Sequence, residues 1–471
     1  MKKPQIHALV LSAGKGTRMK SELPKVLHKA AGRSLLNHVL SACADAGIES
    51  GIVVVGHGRD QVKAEMASQQ FLAVREAWQE QQLGTGHALQ VAANQFSKDE
   101  ALFLILNGDG PLLRADTLRA MIDFHLQKKS DLTLGVMTLE NPTGYGRVMG
   151  AKDRASRIVE EKEANAKEKK ITRVNGGVYL VSRAYLEKFL PKLKPSKRTG
   201  ELYLTDIISL GAKAGKKIFT YSFDPEELLG VNDQGQLAQV SKILQRRLIH
   251  AWMREGICFL DPERVYVEAD VRIESDVVVE PNVALHAGTR IAKGAHLEAG
   301  VILKNTSIGE GAEIKAYSHL EDAVVGANAS VGPFARLRPG ADIGEDAKIG
   351  NFVELKKTKL GKGSKVSHLS YLGDATVGVD VNIGCGFITC NYDGVSKHET
   401  KVGDGAFVGS DVQAVAPLEI GANSYVASGS TITRSVPAGA LAIARVKQEN
   451  KEGYADRLRR KHAAAKQKDN K

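Results

Sequence analysis

The sequence has few cysteines and no long apolar run. Its four cysteines, Cys43, Cys258, Cys385 and Cys390, are too scattered for a CxxC metal motif or a dense disulfide framework. No apolar stretch approaches the roughly 20 residues that a membrane-spanning helix needs. The N-terminal apolar segment runs into a Gly-rich loop and not into a small-residue cleavage site. These absences predict a cytoplasmic protein with reduced thiols that does not span a membrane.

Aromatic residues make up only 5% of the chain, whereas glycine occurs 47 times in 471 residues. This length exceeds the roughly 250 to 300 residues at which a single core stops growing, so we expect two domains or more. The net charge is +11, but much of the excess lies in a basic tail, residues 447–471, which we expect to be disordered. Anionic small substrates are enough to explain the basic bias, and we expect no nucleic-acid partner.

Residues 1–232 alternate short apolar runs with helical patterns, as a parallel α/β sheet does. A helical pattern covers residues 34–46. The apolar runs of the sort that buried strands show are residues 6–11, 52–55, 101–106, 132–136 and 177–181. In such sheets ligands bind beyond the carboxyl ends of the strands. Residues 233–255 follow with apolar side chains three and four positions apart, which predicts a linker helix.

Residues 256–446 have a different period, because aliphatic side chains recur every six residues. A six-residue repeat indicates a parallel β-helix, in which each coil needs a neighbour to bury its aliphatic positions. We expect these positions to be core: Val271, Val277, Val283, Ile291, Leu297, Leu303, Val325, Val331, Leu337, Ile343, Ile349, Leu355, Val402, Val408, Ile420, Val426 and Ile432. Two stretches depart from the repeat, residues 356–374 and 389–400, and the second is long enough to leave the coil as a loop.

The stretch LVLSAGKGTRMKSELPKVL, residues 9–27, combines an apolar run with glycines and basic residues. It lacks the spacer of a Walker loop, and Met19 stands where a Rossmann fingerprint has its third glycine. What remains is a strand, then backbone N–H groups that can face an anion, then Arg18 and Lys25 to neutralise it. The pattern therefore predicts a phosphate-binding loop of another kind.

Longer motifs carry a specific resemblance. The first half contains LSAGKGTRMKSELPK, QLGTGHA, GDGP, GYGR, IVEEK, NGG, YLTDI and GVN, and the second half contains FARLRPG, NFVELKK, HLSYLGD and CNYDG. Together they resemble the bacterial family of bifunctional N-acetylglucosamine-1-phosphate uridyltransferases and glucosamine-1-phosphate acetyltransferases. The resemblance implies a Rossmann-like nucleotidyltransferase domain, a left-handed β-helix, and a homotrimer with acetyl-transfer sites between subunits.

In the first domain the resemblance implies that Arg18 and Lys25 stabilise phosphoryl charge during uridylyl transfer from UTP. It assigns Asp109 and Asn232 to Mg²⁺, an ion that prefers hard oxygen ligands and keeps several waters. The substrate-binding residues that it implies are Leu11, Gly14, Gln79, Gln82, Gly84 and Thr85 for the nucleotide, and Gly146, Glu160, Asn175 and Asn232 for N-acetylglucosamine.

In the β-helix the resemblance makes His368 the base that takes the proton of the substrate amine, with Glu354 nearby to orient or polarise it. Lys397 has no firm match and is left out of the predicted site. The implied residues for the sugar phosphate and amine are Arg338, Lys356, Tyr371 and Asn382, for the acceptor or the acetyl group Asn391 and Tyr392, and for the acetyl-coenzyme A groove Cys385, Ser410, Ser428 and Arg445.

The sequence departs from the family pattern at several positions: Ser12, Asn107, Gly176, Cys385, Phe387 and Ser428. Cys385 beside an acetyl donor leaves an acyl-enzyme open as an alternative, although direct transfer needs no such residue. We predict acetylation of glucosamine 1-phosphate followed by uridylylation to UDP-N-acetylglucosamine. Two alternatives remain: a nucleotidyltransferase whose β-helix serves only for oligomerisation, and a regulatory protein that binds the ligands without turnover.

Overall fold

The computed structural model describes residues 4–97, 101–151 and 153–468. The chain divides into two compact units. The first extends to Ala251 and includes Val267–Ala269, and the second comprises Trp252–Tyr266 and the chain from Asp270 onward. The helix predicted over residues 233–255 is present as Gln234–Arg254, and nearly all of it belongs to the first unit.

The first unit is built on one nine-stranded sheet. Its strands are β1 Ile6–Ser12, β2 Ser50–Val55, β3 Ala73–Trp78, β4 Leu102–Asn107, β5 Leu132–Thr138, β6 Arg147–Met149, β7 Arg157–Val159, β8 Arg173–Ser182 and β9 Ile218–Ser222. The main order is β9-β5-β8-β4-β1-β2-β3, with β6 and β7 attached beside β8. Only β8 runs against its main-sheet neighbours β4 and β5, so the predicted mostly parallel sheet is confirmed.

Helices cover both faces of this sheet, because its central strands are apolar on both sides. The helices of the unit are α1 Leu35–Asp45, α2 Arg59–Ser68, α3 Thr85–Ala93, α4 Ala115–Lys128, α5 Arg183–Phe189, α6 Asp206–Lys213 and α7 Gln234–Arg254. α1, α2 and α4 contribute to the core on one face, and α3, α5 and α6 to the core on the other.

The α7 helix packs against the phosphate-loop end of the first unit. Its Val240 and Ile243 join Met19, Leu112 and Val231 in a separate buried cluster. This cluster ties the start of α7, and with it the segment that carries Asn232, to the loop that carries Arg18. The helix predicted as a linker is therefore part of the first unit.

The second unit is a left-handed parallel β-helix with three faces per coil. Arg272 pairs with Arg290 one coil later, so a coil spans three hexapeptides and the period of six is explained. One face forms an eleven-stranded sheet, and the other two alternate in a seventeen-stranded sheet. Every aliphatic residue predicted to be core is buried, with none more than 4% exposed.

The strands of the first face are Cys258–Phe259, Val278–Val279, His296–Leu297, Glu313–Ile314, Ser330–Val331, Lys348–Asn351, Lys365–His368, Asn382–Ile383, Phe407–Val408, Tyr425–Val426 and Leu441–Ala442. The strands of the other two faces are Tyr266–Val267, Arg272–Ile273, Ala284–Leu285, Arg290–Ile291, Ile302–Lys304, Ser307–Ile308, His319–Glu321, Val324–Val325, Arg336–Leu337, Asp342–Ile343, Glu354–Leu360, Tyr371–Val377, Ile388–Cys390, Thr400–Val402, Gln413–Val415, Leu418–Ile420 and Thr431–Ile432.

The two predicted departures from the repeat have different outcomes. Residues 356–374 stay in the coil, where Glu354–Leu360 and Tyr371–Val377 pair in parallel over their whole length. Between Cys390 and Thr400 the chain leaves the coil as a loop, as expected from the length of that interruption.

Within the tail that we expected to be disordered, Tyr454–Lys468 form helix α8 in the structure. Alanine, lysine and arginine dominate this segment, and they are strong helix formers even where no core packs against them. Residues 469–471 lie outside the described residues. In the described part of the chain, no helix combines the length and apolar character needed to cross a membrane.

We predict that Ile314→Ala destabilises the β-helix by about 2–5 kcal/mol, because it leaves a cavity in a fully buried coil position. Hydrogen exchange of the amides in the neighbouring coils should report the loss. The matched control is Glu313→Ala on the adjacent exposed position, which should change the stability by less than about 0.5 kcal/mol. Equal protection in both variants would contradict the assignment of this position to the core.

Candidate active sites

Two adjoining cavities lie at the carboxyl ends of β1 and β4 in the first unit. Their volumes are about 540 Å³ and 370 Å³, and they share Asn107, Asp109 and Glu160 in their walls. The larger cavity collects the residues predicted for the nucleotide: Leu11, Gly14, Lys25, Gln79, Gln82, Gly84 and Thr85. The smaller one collects Arg18, Gly146, Asn175 and Asn232. The structure thus brings together all the residues that the sequence suggested for this unit.

The phosphate loop has the open backbone that its glycines predict. Gly16 has a left-handed φ of +60°, and a Cβ built on it would lie 2.7 Å from the Cβ of Lys25, so a side chain there would displace the lysine. Gly14 has no heavy atom near its missing side chain, which leaves its backbone accessible from the cavity. The loop therefore presents backbone and Lys25 to the same space.

Cations and oxygen ligands converge beside this loop. The ammonium group of Lys25 hydrogen-bonds the carboxylate of Asp109 and lies 3.3 Å from Oδ1 of Asn232. Arg18 donates through Nη2 to the same Asn232 oxygen at 2.9 Å. One carboxylate and one amide oxygen thus lie within reach of a single cation, which is the hard-oxygen donor set that Mg²⁺ accepts. Within the described residues no cluster of three or more His, Cys, Asp or Glu forms a competing metal site.

Gln79 is buried at the end of β3, and its amide is held in one orientation. Nε2 donates to the Gly84 carbonyl oxygen at 3.1 Å and lies 3.1 Å from Nδ1 of His87. Both N–H groups of the side chain therefore have partners, and Oε1 remains as the acceptor that can face a ligand.

Glu160, in the wall shared by the two cavities, holds its proton to higher pH than an ordinary glutamate. Burial raises the pKa of its carboxyl, while the hydrogen bond that Thr205 Oγ1 donates to Oε1 at 2.8 Å lowers it, and the charges of Asp206 and Glu201 raise it again. Asn175 is oriented in the same region, because Nδ2 donates to the Tyr179 hydroxyl at 2.8 Å and Oδ1 accepts from the Gly177 amide at 3.0 Å.

Two departures from the family pattern have a structural explanation. The amide of Asn107 lies against Gly177, which has a φ of +74° and no room for a Cβ. Gly176 is closed off on one side by the side chain of Leu228 and on the other by the Gly135 carbonyl oxygen. Small residues at 176 and 177 are thus required by the neighbours that this chain has. Nothing in the structure explains Ser12, whose buried hydroxyl has no partner within the described residues.

In the second unit, coil stacking assembles a column at one corner of the β-helix. Successive corners are joined by the pairing of Asn351 with His368 and by three hydrogen bonds: Gly386 N to His368 O, Asp411 N to Cys385 O, and Gly429 N to Ser410 O. We call Asn351, His368, Cys385, Ser410 and Ser428 the corner column. Arg445 reaches its upper end, where Nη1 donates to the Ser428 carbonyl oxygen at 2.7 Å. Phe387 lies apart from this surface, since it is fully buried.

Asn351 determines how the exposed His368 is presented. Its Oδ1 lies 2.6 Å from Nδ1 of His368, and an amide oxygen can only accept a hydrogen bond. Nδ1 therefore carries the ring proton, and Nε2 keeps the lone pair that a general base needs.

A cluster of cations lies on the face where Arg336–Leu337, the start of Glu354–Leu360 and the start of Tyr371–Val377 stack, which we call the second face. Arg338 donates to Oε1 of Glu354 at 2.8 Å, and Lys356 lies beside Lys397 and Arg338. The pKa of Lys356 is lowered, first by the adjacent Lys397, then by loss of hydration and by Arg338. Lys397, which the sequence analysis left out, therefore belongs to this group. Cations that repel one another across such short distances favour binding of an anion.

Tyr371 and Asn391 meet above Gly373 on the same face. Both the Tyr371 hydroxyl and the Asn391 Nδ2 approach the position that a Cβ of Gly373 would take, so this glycine allows them to come together. Asn391 is buried and donates through Nδ2 to Oδ2 of Asp374 at 2.6 Å. Tyr392 follows on the exposed loop.

The residues predicted to bind one acceptor do not all come together in a single chain. Asn382 stacks between Lys365 and Phe407 on the first face, whereas Lys356 and Tyr371 lie on the second. Outward side chains on two faces of a triangular coil point in different directions.

Three residues that contact predicted site residues were not themselves predicted from the sequence. Asn351 contacts His368, Thr205 contacts Glu160, and Lys397 lies beside Lys356. Asn351 and Thr205 lie inside quoted motifs, NFVELKK and YLTDI, so the motif was read and the individual residue passed over. Lys397 lies in a loop, and its proximity to Lys356 is visible only once the chain is folded.

Comparison with known proteins gives consistent matches over the whole chain. A nucleotidyl transferase family model matches residues 7–253, a GMPPB C-terminal domain model matches residues 262–338, and a model of six bacterial transferase hexapeptide repeats matches residues 322–357. "Bifunctional protein GlmU" of Pelobacter propionicus is 45% identical, covering 97% of this chain and 99% of the relative. The proteins of that name from Brevibacillus brevis and Geobacter sulfurreducens are each 44% identical, covering 97% and 96% of this chain and 98% and 99% of the relative.

We predict that Thr205→Val raises the pKa of Glu160 further, because the charged carboxylate loses a hydrogen bond while its burial remains. A carbon-13 NMR titration of the glutamate carboxyls should show the shift, with Glu160→Gln identifying the resonance. Thr205→Ser keeps the hydroxyl and should keep the wild-type pKa. Because the folded-state pKa of this acid is raised, stability is lost as the pH rises through it, and the Val variant should lose more. An unchanged titration in the Val variant would remove Thr205 from this role.

Proposed function

The chain belongs to the family of bifunctional GlmU proteins, and from this membership we propose that its two units make UDP-N-acetylglucosamine in two steps. The β-helix transfers an acetyl group from acetyl-coenzyme A to glucosamine 1-phosphate. The nucleotidyltransferase unit then transfers a uridylyl group from UTP to the product and releases pyrophosphate. The observation that carries the proposal is that every residue implied for the second step lines one of two adjoining cavities.

In the uridylyl step a phosphate oxygen of N-acetylglucosamine 1-phosphate attacks the α-phosphorus of UTP, and the bond to pyrophosphate breaks. Negative charge spreads over the phosphoryl oxygens, so positioning and charge neutralisation do most of the catalysis. Lys25 and Arg18 stand where they can neutralise that charge, and the backbone of the loop at Gly14 can approach the phosphates. No side chain needs to act as a covalent nucleophile.

Asp109 and Asn232 would hold Mg²⁺, because their oxygens already converge on one cation in the structure. When bound, the ion supplies positive charge to the triphosphate oxygens. The two residues offer few protein ligands, which suits an ion that keeps several of its waters.

The orientation of Gln79 supports a preference for uracil. Its remaining acceptor, Oε1, can take a hydrogen bond from the N3–H of uracil, whereas the N3 of cytosine is itself an acceptor. A mismatched pair of acceptors in a buried position costs binding energy. N-Acetylglucosamine would lie in the smaller cavity, between Glu160 and Asn175.

In the acetyl step Nε2 of His368 takes a proton from the amine of glucosamine 1-phosphate. The amine nitrogen forms a bond to the thioester carbon, and the bond to sulfur breaks to release coenzyme A as the thiolate, which takes up the proton that His368 accepted. Asn351 keeps His368 in the tautomer that this needs. The cations Arg338, Lys356 and Lys397 would hold the sugar phosphate, and the corner column above His368, ending at Arg445, would hold the cofactor.

We propose that the protein is a homotrimer. Hexapeptide domains of this kind suggest oligomerisation, and the acceptor residues of one chain lie on two faces, so a second copy would complete the site. An apolar ladder supports the same conclusion: Tyr317, Phe334, Phe352 and Leu369 stack on successive coils beside the corner column, each about half exposed. A contiguous exposed apolar surface of this kind marks an interaction site.

The four cysteines are free thiols. This is what a reducing compartment maintains, and it supports our placement of the protein in the cytoplasm.

We predict that single substitutions separate the two activities. His368→Ala should lower acetylation by about 10²–10⁴-fold, and Asp109→Asn should lower uridylylation by about 10²–10³-fold, each leaving the other activity intact. Mass spectrometry of the products, with acetyl-coenzyme A, UTP or Mg²⁺ omitted in turn, measures both. If uridylylation works and wild-type protein does not acetylate, the β-helix is only a scaffold.

We predict that Phe334→Lys together with Phe352→Lys shifts the protein from trimer to monomer, because each buries a charge in the proposed interface. Size-exclusion chromatography with light scattering gives the mass. Acetylation should fall with the loss of trimer, whereas uridylylation should stay. Leu260→Lys, at an exposed apolar position in the first coil, is the matched control. A wild-type monomer with full acetyltransferase activity would refute the trimer.

A further inference from the structure

The loop that leaves the β-helix between Cys390 and Thr400 is a closed hairpin. Tyr392 and Lys397 form an antiparallel bridge, and the Asp393 amide donates to the Ser396 carbonyl oxygen at 3.2 Å. Asn391 and Tyr392 lie on one arm, and Lys397 lies on the other. Both arms therefore carry residues that the acetyl step would use.

One carboxylate organises this hairpin. Oδ1 of Asp393 accepts hydrogen bonds from the amides of Val395 at 2.7 Å and Ser396 at 2.6 Å, and Oδ2 lies 2.7 Å from Nε2 of His398. The His398 hydrogen bond, followed by the two backbone amides, holds the pKa of the Asp393 carboxyl far below its usual range. The carboxylate is thus charged, and each of its oxygens has a partner.

His398 joins the carboxylate to the other arm. Its backbone amide donates to the Asn391 carbonyl oxygen at 2.8 Å, while its ring donates to Asp393. Removal of the ring contact would therefore take away one of the bonds that fix the arm carrying Lys397, while the backbone bonds of the hairpin remain. Asn391 is anchored separately to Asp374, so its own side chain can stay while the arm that carries Lys397 moves.

We infer that Asp393 and His398 are positioning residues for the acetyl acceptor: together they hold Lys397 beside Lys356. Neither residue touches the reacting atoms in this assignment. The inference rests on the acetyltransferase function proposed above and deepens it, because it names what shapes the phosphate-binding side of the acceptor site.

The exposure of the Asp393 and His398 side chains indicates whether their contact affects the stability of the unit or the binding of substrate. The side chains of Asp393 and His398 are 49% and 32% exposed, so the contact between them adds little to the stability of the whole unit. Without it the loop would gain conformational freedom, and binding of the acceptor would have to remove that freedom again. Loss of the contact should therefore weaken substrate binding and raise KM, and it should leave the chemistry at His368 unchanged.

The contact requires a donor at the position of Nε2, and it does not require a positive charge. A neutral imidazole protonated at Nε2 donates to Asp393 as a charged one does. Glutamine places an N–H donor at a similar reach, whereas alanine removes the donor. His398→Gln should therefore restore what His398→Ala loses.

The test compares full-length Asp393→Ala and His398→Ala with wild type, using glucosamine 1-phosphate as the varied substrate. We expect KM for this acceptor to rise by about tenfold in His398→Ala, the size of one lost hydrogen bond to a charged group, and by at least as much in Asp393→Ala, which also loses the two backbone hydrogen bonds; kcat should stay within about threefold in both. KM for acetyl-coenzyme A should stay, and His398→Gln should return KM for the acceptor to near wild type. Uridylylation of N-acetylglucosamine 1-phosphate by the same samples reports that the first unit is folded, and an unchanged KM for acetyl-coenzyme A reports that the β-helix is folded.

The matched control is His296→Ala. His296 and Glu280 form a similar half-exposed pair, 3.1 Å apart, on an earlier coil away from the loop. Removal of the His296 ring should leave KM for glucosamine 1-phosphate and KM for acetyl-coenzyme A unchanged. Wild-type KM in both Asp393→Ala and His398→Ala would overturn the inference. A fall of kcat in both variants without a change in KM for the acceptor would also overturn it. So would a His398→Gln variant whose KM stays as high as that of His398→Ala. Absence of acetylation by wild type would instead refute the acetyltransferase function itself.

Discussion

In-register stacking of each coil on the next is the constraint on which the second unit depends. A buried aliphatic position is satisfied only when the coils above and below supply the same position, so every coil keeps the same phase. The same stacking brings Asn351, His368 and Cys385 into one column, although a whole coil separates each from the next. Core packing thus determines the geometry of the proposed acetyl site, and no residue of the column has to be buried to be held in place.

Both sites hold cations close together, and the repulsion between those cations is balanced differently in each. In the first unit Lys25 and Arg18 are balanced by Asp109 and by the oxygen of Asn232, so the cations are held together before any phosphate arrives. In the β-helix Glu354 lies beside Arg338 and the charge of Asp374 acts on Lys356, but the neighbouring Lys356 and Lys397 repel each other, which lowers the pKa of Lys356. An anionic substrate relieves that repulsion, and a loop such as the one closed by Asp393 can hold the charges close until it binds.

Much of the fold was predictable because local patterns matched the final environment. The apolar runs became buried strands, and the six-residue period became the core of the β-helix. The structure differs from the expectation where composition and periodicity were the only guides. The basic tail forms a helix over Tyr454–Lys468, and the predicted linker helix packs into the first unit through Val240 and Ile243. Charge alone does not prevent helix formation, and periodicity does not say which unit an apolar stripe will contact.

The sequence by itself determined the two repeat patterns and the motifs that name the candidate residues, because period and glycine spacing are properties of the chain. Only the tertiary structure decided which of those residues meet. Asp109 and Asn232 are far apart along the chain, and so are Lys356 and Lys397, yet each pair lies around one point in space. The tertiary structure also decided the tautomer of His368 and the contact between Asp393 and His398. Hydrogen bonds depend on distance and direction between atoms, and these exist only after the coils and strands have packed.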